Sequence, residues 1–292
     1  MFKILSKIIK SWWGQVTNST SGHFRKIVIG VISLFNPQNS VTLSNLFFFR
    51  GVGKVSLVKN EGKIVFLLKQ NEKKFYFYSL KRGIKYYKLG LEHRAIEIAS
   101  SYGIDKISFS KDDVVIDCGA NTGDLHLYVS RFDCEYIAFE PDPVAYKALN
   151  LNVPEYSYNF ALSDKTGELD FFISSDNADS SLVQPSHFTS KQLVEVKRLD
   201  ENILRNKIKL LKIEAEGHEL EVLLGASNIL DIVEFIAVDG SCEKGIEKES
   251  TLEEVINYLI PMGFDIIWVD LIGKGRGWGR ALFHKKKHAN EK

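Results

Sequence analysis

No apolar run in this 292-residue sequence reaches the roughly 20 residues that a membrane-spanning helix requires, so no span is expected. Cysteine is scarce. Cys118, Cys134 and Cys242 are an odd set without paired spacing, which argues against a disulfide framework or a zinc cluster and fits a reducing, cytoplasmic compartment. A charge excess is missing as well, since 38 basic and 37 acidic residues leave a formal net charge of +1. Such a chain has no field that would gather a polyanion, and no nucleic-acid partner is expected. The Gly-x-Gly-x-x-Gly of dinucleotide sites is also absent, which weighs against nicotinamide chemistry. What is present, 45% hydrophobic and 26% charged residues, is the make-up of an ordinary folded protein.

The first residues stand apart. Lys3, Lys7 and Lys10 alternate with Ile4, Leu5, Ile8, Ile9, Trp12 and Trp13 at spacings that put the apolar groups on one helical face. A second apolar piece, residues 27–35, is too short to span, and no small-residue cleavage pattern follows it. Two readings stand for residues 1–35. One is a helix lying on a membrane surface, a peripheral contact with the tryptophans at headgroup level. The other is a helix packed on its own domain or on a partner subunit of a homo-oligomer.

Three regions follow from the patterning: a helical segment over residues 1–40, a small β-rich region over 41–105, and a main domain over 106–292. In the second, Val55-Ser56-Leu57-Val58 and Ile64-Val65-Phe66-Leu67 flank Asn60-Glu61-Gly62 and read as a hairpin. Phe75-Tyr76-Phe77-Tyr78 is a further strand, and residues 91–102 are a helix stopped by Gly103. From Asp113 onward strands and helices alternate. Val114-Val115-Ile116, Tyr136-Ile137-Ala138-Phe139, Leu210-Leu211-Lys212-Ile213 and Phe235-Ile236-Ala237-Val238 are apolar enough for the buried middle of a parallel sheet. Helices are expected after Pro143, over residues 219–224, and over 250–262, the last opened by a Ser250/Glu253 capping box. Ile266-Ile267-Trp268-Val269 and Ala281-Leu282-Phe283 form a closing strand pair. The fold class is α/β: a doubly wound, mostly parallel sheet with an antiparallel closing strand, preceded by a small N-terminal β/α region. Ligands of such sheets sit at the carboxyl ends of the strands.

Those ends carry the candidate chemistry. Asp117-Cys118-Gly119-Ala120-Asn121-Thr122-Gly123 follows the first buried strand, and Gly119 and Gly123 permit a sharp turn and close approach to a ligand. An aspartate there repels phosphate and suits a cationic ligand. Glu140, followed by Pro141, ends the next strand about 20 residues on, where a carboxylate can accept both hydroxyls of a ribose. Asp164, after a third strand, is placed to meet an adenine amino group, or is only a turn residue. Lys212-Ile213-Glu214-Ala215-Glu216-Gly217-His218-Glu219 packs charge densely after an apolar strand, which is costly unless the groups bind something or each other. Glu214, Glu216 and His218 are the candidate proton acceptors, with His218 and Glu219 alternatively opening the next helix. Asp239 is another carboxylate at this edge, and no metal site is assigned. The polar stretch over residues 174–191 is either a substrate lid or a solvated loop. The glycine-rich basic run over residues 273–280 could suggest nucleic acid, but a lone basic run is usually just solvated.

With these motifs in order the chain resembles the FkbM-type methyltransferase family, a Rossmann-like branch of the S-adenosylmethionine (SAM) dependent enzymes. The resemblance also draws on Ser180-Ser181-Leu182 and Val196-Lys197-Arg198-Leu199-Asp200, and runs from Val114 to Phe283. It implies SAM as cofactor, contacted by Asp117, Gly119, Asn121 and Glu140, with Gly123, Pro141 and Asp164 completing the expected set. It implies methyl transfer to a hydroxyl oxygen of a sugar, a glycan or another small molecule. Two departures stand out: Glu214, where the family more often has Asp, and Asp239-Gly240, where a Glu-containing segment is common. The alternative is a non-catalytic SAM-binding scaffold in polysaccharide assembly.

Overall fold

A computed structural model describes residues 29–30, 32, 34–60, 62–174, 180–270 and 279–286. The surface-helix reading of residues 1–35 therefore lies almost wholly outside the described residues, as do the basic run at 273–278 and residues 175–179 of the polar stretch. Among the described residues, no helix is long and apolar enough to cross a membrane.

The main sheet is built from β4 (Val114–Cys118), β5 (Glu135–Phe139), β6 (Ser157–Tyr158), β10 (Ile208–Ile213), β11 (Val233–Asp239), β14 (Phe264–Asp270) and β15 (Arg280–Lys285). Its order is β14-β15-β11-β10-β4-β5-β6. The pairs from β11 to β6 are parallel, while β15 lies antiparallel to both β11 and β14. This is the doubly wound sheet with an antiparallel closing pair that the alternation implied. Its middle strands are apolar on both faces because both are covered. Val114, Ile116, Ile137, Leu211 and Ile236 face one cluster with Val222 and Leu223 of α6 (Glu219–Leu224) and Val255 and Leu259 of α7 (Leu252–Leu259). Val115, Ala138, Leu210 and Ala237 alternate to the other face. They meet Ala95 and Ala99 of α3 (Leu91–Ser101), Val129 of the single-turn α4 (His126–Val129) and Leu149 of α5 (Pro143–Asn152). Helix α3 is thus a layer of the main sheet.

Two local expectations change. Helix α7 starts at Leu252, and Ser250 belongs to the short strand β13 (Glu249–Ser250), its hydroxyl donating to the Gly240 carbonyl at 2.6 Å. The Ser250/Glu253 capping box is therefore not formed, because the serine hydroxyl is used to close the β11 loop. The strand before Asp164, β7 (Ala161–Leu162), does not extend the main sheet. It pairs with β9 (Ser190–Lys197), which pairs with β8 (Gly167–Ile173) in a separate three-stranded sheet.

The N-terminal region comprises α1 (Pro37–Phe47), the antiparallel sheet β1 (Lys54–Asn60), β2 (Lys63–Gln70), β3 (Lys73–Phe77), and α2 (Leu80–Tyr87). The expected hairpin is β1–β2, turning at Gly62 with φ +74°. Its core joins Val55, Phe66, Leu68, Phe75, Phe77, Ile84 and Tyr87. A sheet edge offers unpaired backbone groups, and here a side chain from the main domain takes them. Asn152, at the end of α5, accepts from the Tyr76 amide at 2.8 Å and donates to the Tyr76 carbonyl at 2.9 Å. The same amide donates to the Thr122 carbonyl at 2.7 Å, tying β3 to the glycine turn. Asn152→Ala strands these backbone groups, and a loss of about 1–3 kcal/mol in unfolding free energy is expected in urea titration. An unchanged midpoint would show that the docking does not depend on this side chain.

Candidate functional site

The strand register sets charge against charge. Lys212 is the Cα partner of Asp117, and Arg280 is the partner of Asp239. By the period of two, all four face the α3 side. Lys212 Nζ lies 2.9 Å from Asp117 Oδ1 and 2.9 Å from Glu214 Oε2, and donates to the Gly119 carbonyl at 3.2 Å. The Tyr136 hydroxyl donates to the other oxygen of Asp117. Arg280 Nε donates to Asp239 Oδ2 at 2.6 Å, and Ser241 donates to Oδ1. The Tyr102 ring stands between the pairs, its centroid 5.6 Å from Lys212 Nζ and 4.6 Å from the Arg280 guanidinium.

Titration follows from these contacts. Burial alone would raise Glu214, but Lys212 and Arg280 outweigh it and hold the carboxyl at about 2. Burial would lower Lys212, yet Asp117 and Glu214 keep it above its ordinary range. For Asp117 burial prevails over Lys212 and the pKa is raised. Glu140 is 6% exposed and accepts from the amides of Asn121 and Asp142, each at 2.8 Å. Burial, with the nearby Asp142 charge, pushes Glu140 up to about 8. Glu243 is likewise pushed up to about 8 by burial and Asp239, and its carboxyl is hydrogen-bonded to Glu216.

These groups surround a cavity of about 1310 Å³ at the carboxyl ends of β4, β5, β10 and β11. Asp117, Gly119, Asn121, Glu140, Pro141, Glu214 and Glu216 of the expected set line it, together with Asp239. Gly123, Asp164 and His218 are not among its lining residues. Asp164 is exposed beyond β7, accepting from Ser163 while its carbonyl takes Arg198. His218 is the N-cap of α6, with Nε2 3.0 Å from Ser163 Oγ and burial lowering its pKa. Glu219 accepts from the amides of Ala215 and Gly217 and from Thr251, so it shapes the loop before α6. The glycines act on the protein itself. A Cβ on Gly119, at φ +72°, would lie 1.9 Å from the Glu214 carbonyl, and one on Gly123 would lie 3.1 Å from Leu149 Cδ1. Strand β10 stops at Ile213, and Glu216 sits at φ +51°, so Glu214 and Glu216 reach the cavity from a turn rather than a continued strand.

Ser174, Ser180 to Leu182 and residues 185–189, from the polar stretch expected as a substrate lid or a solvated loop, form part of the wall, and Ser181 Oγ donates to the Glu216 carbonyl at 2.7 Å. Other lining residues escaped the sequence reading. Glu243, three residues past Gly240, carried no motif. Arg82, Lys85 and Tyr86 come from α2, whose helical pattern is interrupted by Gly83. Asp124 directly follows the glycine turn and was the most accessible of these from sequence.

The family described as "Methyltransferase FkbM domain" matches residues 117–266. The hexuronic acid methyltransferase AglP of Haloferax volcanii is 30% identical over 135 residues, 44% of this chain and 56% of that protein. The 2-O-methyltransferase NoeI of Sinorhizobium fredii is 26% identical over 173 residues, 51% of this chain and 71% of that protein. The chain thus spans little more than half the length of the first of these relatives. Among solved structures, the magnesium protoporphyrin IX methyltransferase of Synechocystis PCC 6803 aligns with a TM-score of 0.41 and 9% identity, over 70% of this chain and 86% of that one.

Two outcomes follow. In Lys212→Met two buried carboxylates lose their common cation, and a loss of about 3–5 kcal/mol in urea unfolding is expected; a loss under about 1 kcal/mol would contradict this account. Glu140 binds its proton more tightly folded, at about 8, than at its ordinary 4.5. Its contribution is therefore fully present below 4.5 and fades as pH rises toward about 8, by up to about 1.4 kcal/mol per pH unit. Unfolding free energies of wild type and Glu140→Ala, measured from pH 5 to 8, should converge with rising pH; parallel curves would refute it.

Proposed function

The chain belongs to the FkbM methyltransferase family, and from that premise we propose that it moves a methyl group from SAM to a hydroxyl oxygen of a sugar or glycan. The observation that carries this reading is the cavity of about 1310 Å³ with its carboxylate-lined floor. SAM is a nucleoside with a sulfonium and an ammonium, and the donor set fits such a cation. Asp117 and Glu214 share the single charge of Lys212, which leaves that cluster one negative charge in excess. Glu140, anchored by two amides, is the group to accept from ribose hydroxyls, and Gly119, Asn121 and Pro141 line the same side. Gly123 supports the turn from behind, and Asp164 and His218 act outside the lining. A sugar acceptor is supported by the relatives that act on hexuronic acid or carry 2-O-methyltransferase activity.

When bound, SAM supplies an electrophilic methyl group. The protein's share is alignment, which is worth roughly 7–11 kcal/mol in well-oriented systems, and removal of the acceptor's proton. Of the three candidate bases, Glu214 is ion-paired to Lys212 and His218 faces Ser163. Glu216 is the remaining one, and its hydrogen-bonded partner Glu243 has a pKa near working pH, where a general base is most effective. The acceptor hydroxyl proton passes to this pair.

Mass spectrometry of oligosaccharides bearing glucuronic acid, incubated with SAM, should detect a gain of one methyl group. Glu216→Gln and Glu243→Gln should each lower kcat by about 10²–10⁴-fold, whereas His218→Ala should change it only several-fold. Near-wild-type turnover in both glutamate variants would remove the pair from the mechanism. SAM binding without methylation of any glycan acceptor would favour the scaffold reading.

A further inference from the structure

The cavity is acidic on its strand side and basic on its helix side. Arg82 and Lys85 of α2 and Arg94 of α3 all line it, gathered around one ring. Tyr86 has the Arg82 guanidinium 4.7 Å, the Lys85 ammonium 4.5 Å and the Arg94 guanidinium 4.4 Å from its centroid. The nearby anions are already engaged. Asp124 Oδ2 accepts from Arg94 at 2.6 and 3.0 Å, and Oδ1 accepts from the Tyr87 hydroxyl at 2.6 Å and Thr122 at 3.4 Å. Glu97, half-exposed, is also held by Arg94, at 2.9 Å.

Arg82 is left over. It is 8% exposed, its closest carboxylate oxygen is Asp124 Oδ2 at 3.9 Å from Nη2, and among the described residues its buried Nε has no hydrogen-bond acceptor. Burying a guanidinium is costly unless its donors are satisfied, and its planar fork matches a carboxylate. Tyr78, 6.0 Å away, leads from Arg82 toward the turn that holds Asn121, to which it is hydrogen-bonded. The buried, unpaired donor therefore stands beside the expected cofactor loop.

We propose that Arg82 is a carboxylate-binding residue of the cavity, receiving either the α-carboxylate of the cofactor's methionyl end or the carboxylate of a uronic acid acceptor. This rests on the methyltransferase reading above. The first source matches the division of charge more closely, since an amino-acid end carries an ammonium for the acidic side and a carboxylate for the basic side.

Isothermal titration with SAM and with decarboxylated SAM isolates the cofactor carboxylate. Wild-type protein should prefer SAM by about 10–100-fold, and Arg82→Ala should erase that preference while binding decarboxylated SAM within about twofold of wild type. Arg82→Lys, which keeps the charge without the fork, should fall between. Asp124 keeps Arg94 in these variants, and matched thermal unfolding midpoints would establish that they fold. Titrating glucuronate and glucose into protein saturated with S-adenosylhomocysteine tests the other source. Loss of glucuronate affinity in Arg82→Ala, with the SAM preference intact, assigns the carboxylate to the acceptor. If wild type binds SAM and the variant keeps both preferences, the proposal is overturned. Wild type that binds neither nucleoside overturns the proposed function and this inference together.

Discussion

Lys212 is an ammonium 3% exposed, and the site is arranged around its need for partners. Desolvating such a group costs several kcal/mol unless opposite charge and acceptors surround it. Asp117 comes from the adjacent strand, Glu214 from the following turn and the Gly119 carbonyl from the glycine loop. One cation thereby sets where three segments lie relative to each other. Because it neutralises only one of two carboxylates, it also leaves the net negative charge that suits a cationic ligand.

That closeness dictates the glycine. The β4 and β10 loops run together so tightly that a Cβ on Gly119 would strike the Glu214 carbonyl. Gly119 makes room for the neighbouring loop and also lines the cavity where a ligand is expected. The glycine turn further serves the site, because its two-fold amide contact with the Phe139 carbonyl, 3.0 Å from both Gly119 and Ala120, aligns the end of β5 with that of β4. Glu140 then lies within reach of the Asn121 amide. Polar groups meet on the ligand side while the apolar strand bodies remain packed below.

The N-terminal region contributes a wall of opposite sign. Tyr87 of α2 donates to Asp124, and Asn152 grips β3, so α2 is held over the glycine turn from two directions. A sheet-end site of acidic groups becomes a cavity with one acidic and one basic side. Both signs together match a zwitterion, while the basic side alone would suffice for an acidic sugar.

Much of this was legible in order along the chain. Apolar runs such as Val114-Val115-Ile116 and Phe235-Ile236-Ala237-Val238 are local signals, and their period and length determine a buried parallel sheet. The sheet rule then places Asp117, Glu140 and Glu214 at the ligand edge, and the structure lines the cavity with them. Asp164 and His218 look alike in sequence, each polar and just past an apolar stretch. Only sheet membership separates them from the others, since β7 pairs with β9 and His218 begins a helix. Long-range pairing is decided by competition among distant strands for burial and hydrogen bonds, which no local window contains. For the same reason the sequence determined which residue types stand at the strand ends. The tertiary structure alone decided that Lys212 faces Asp117, that Glu243 meets Glu216, and that Arg82, 35 residues before Asp117, looks into the same cavity with a donor to spare.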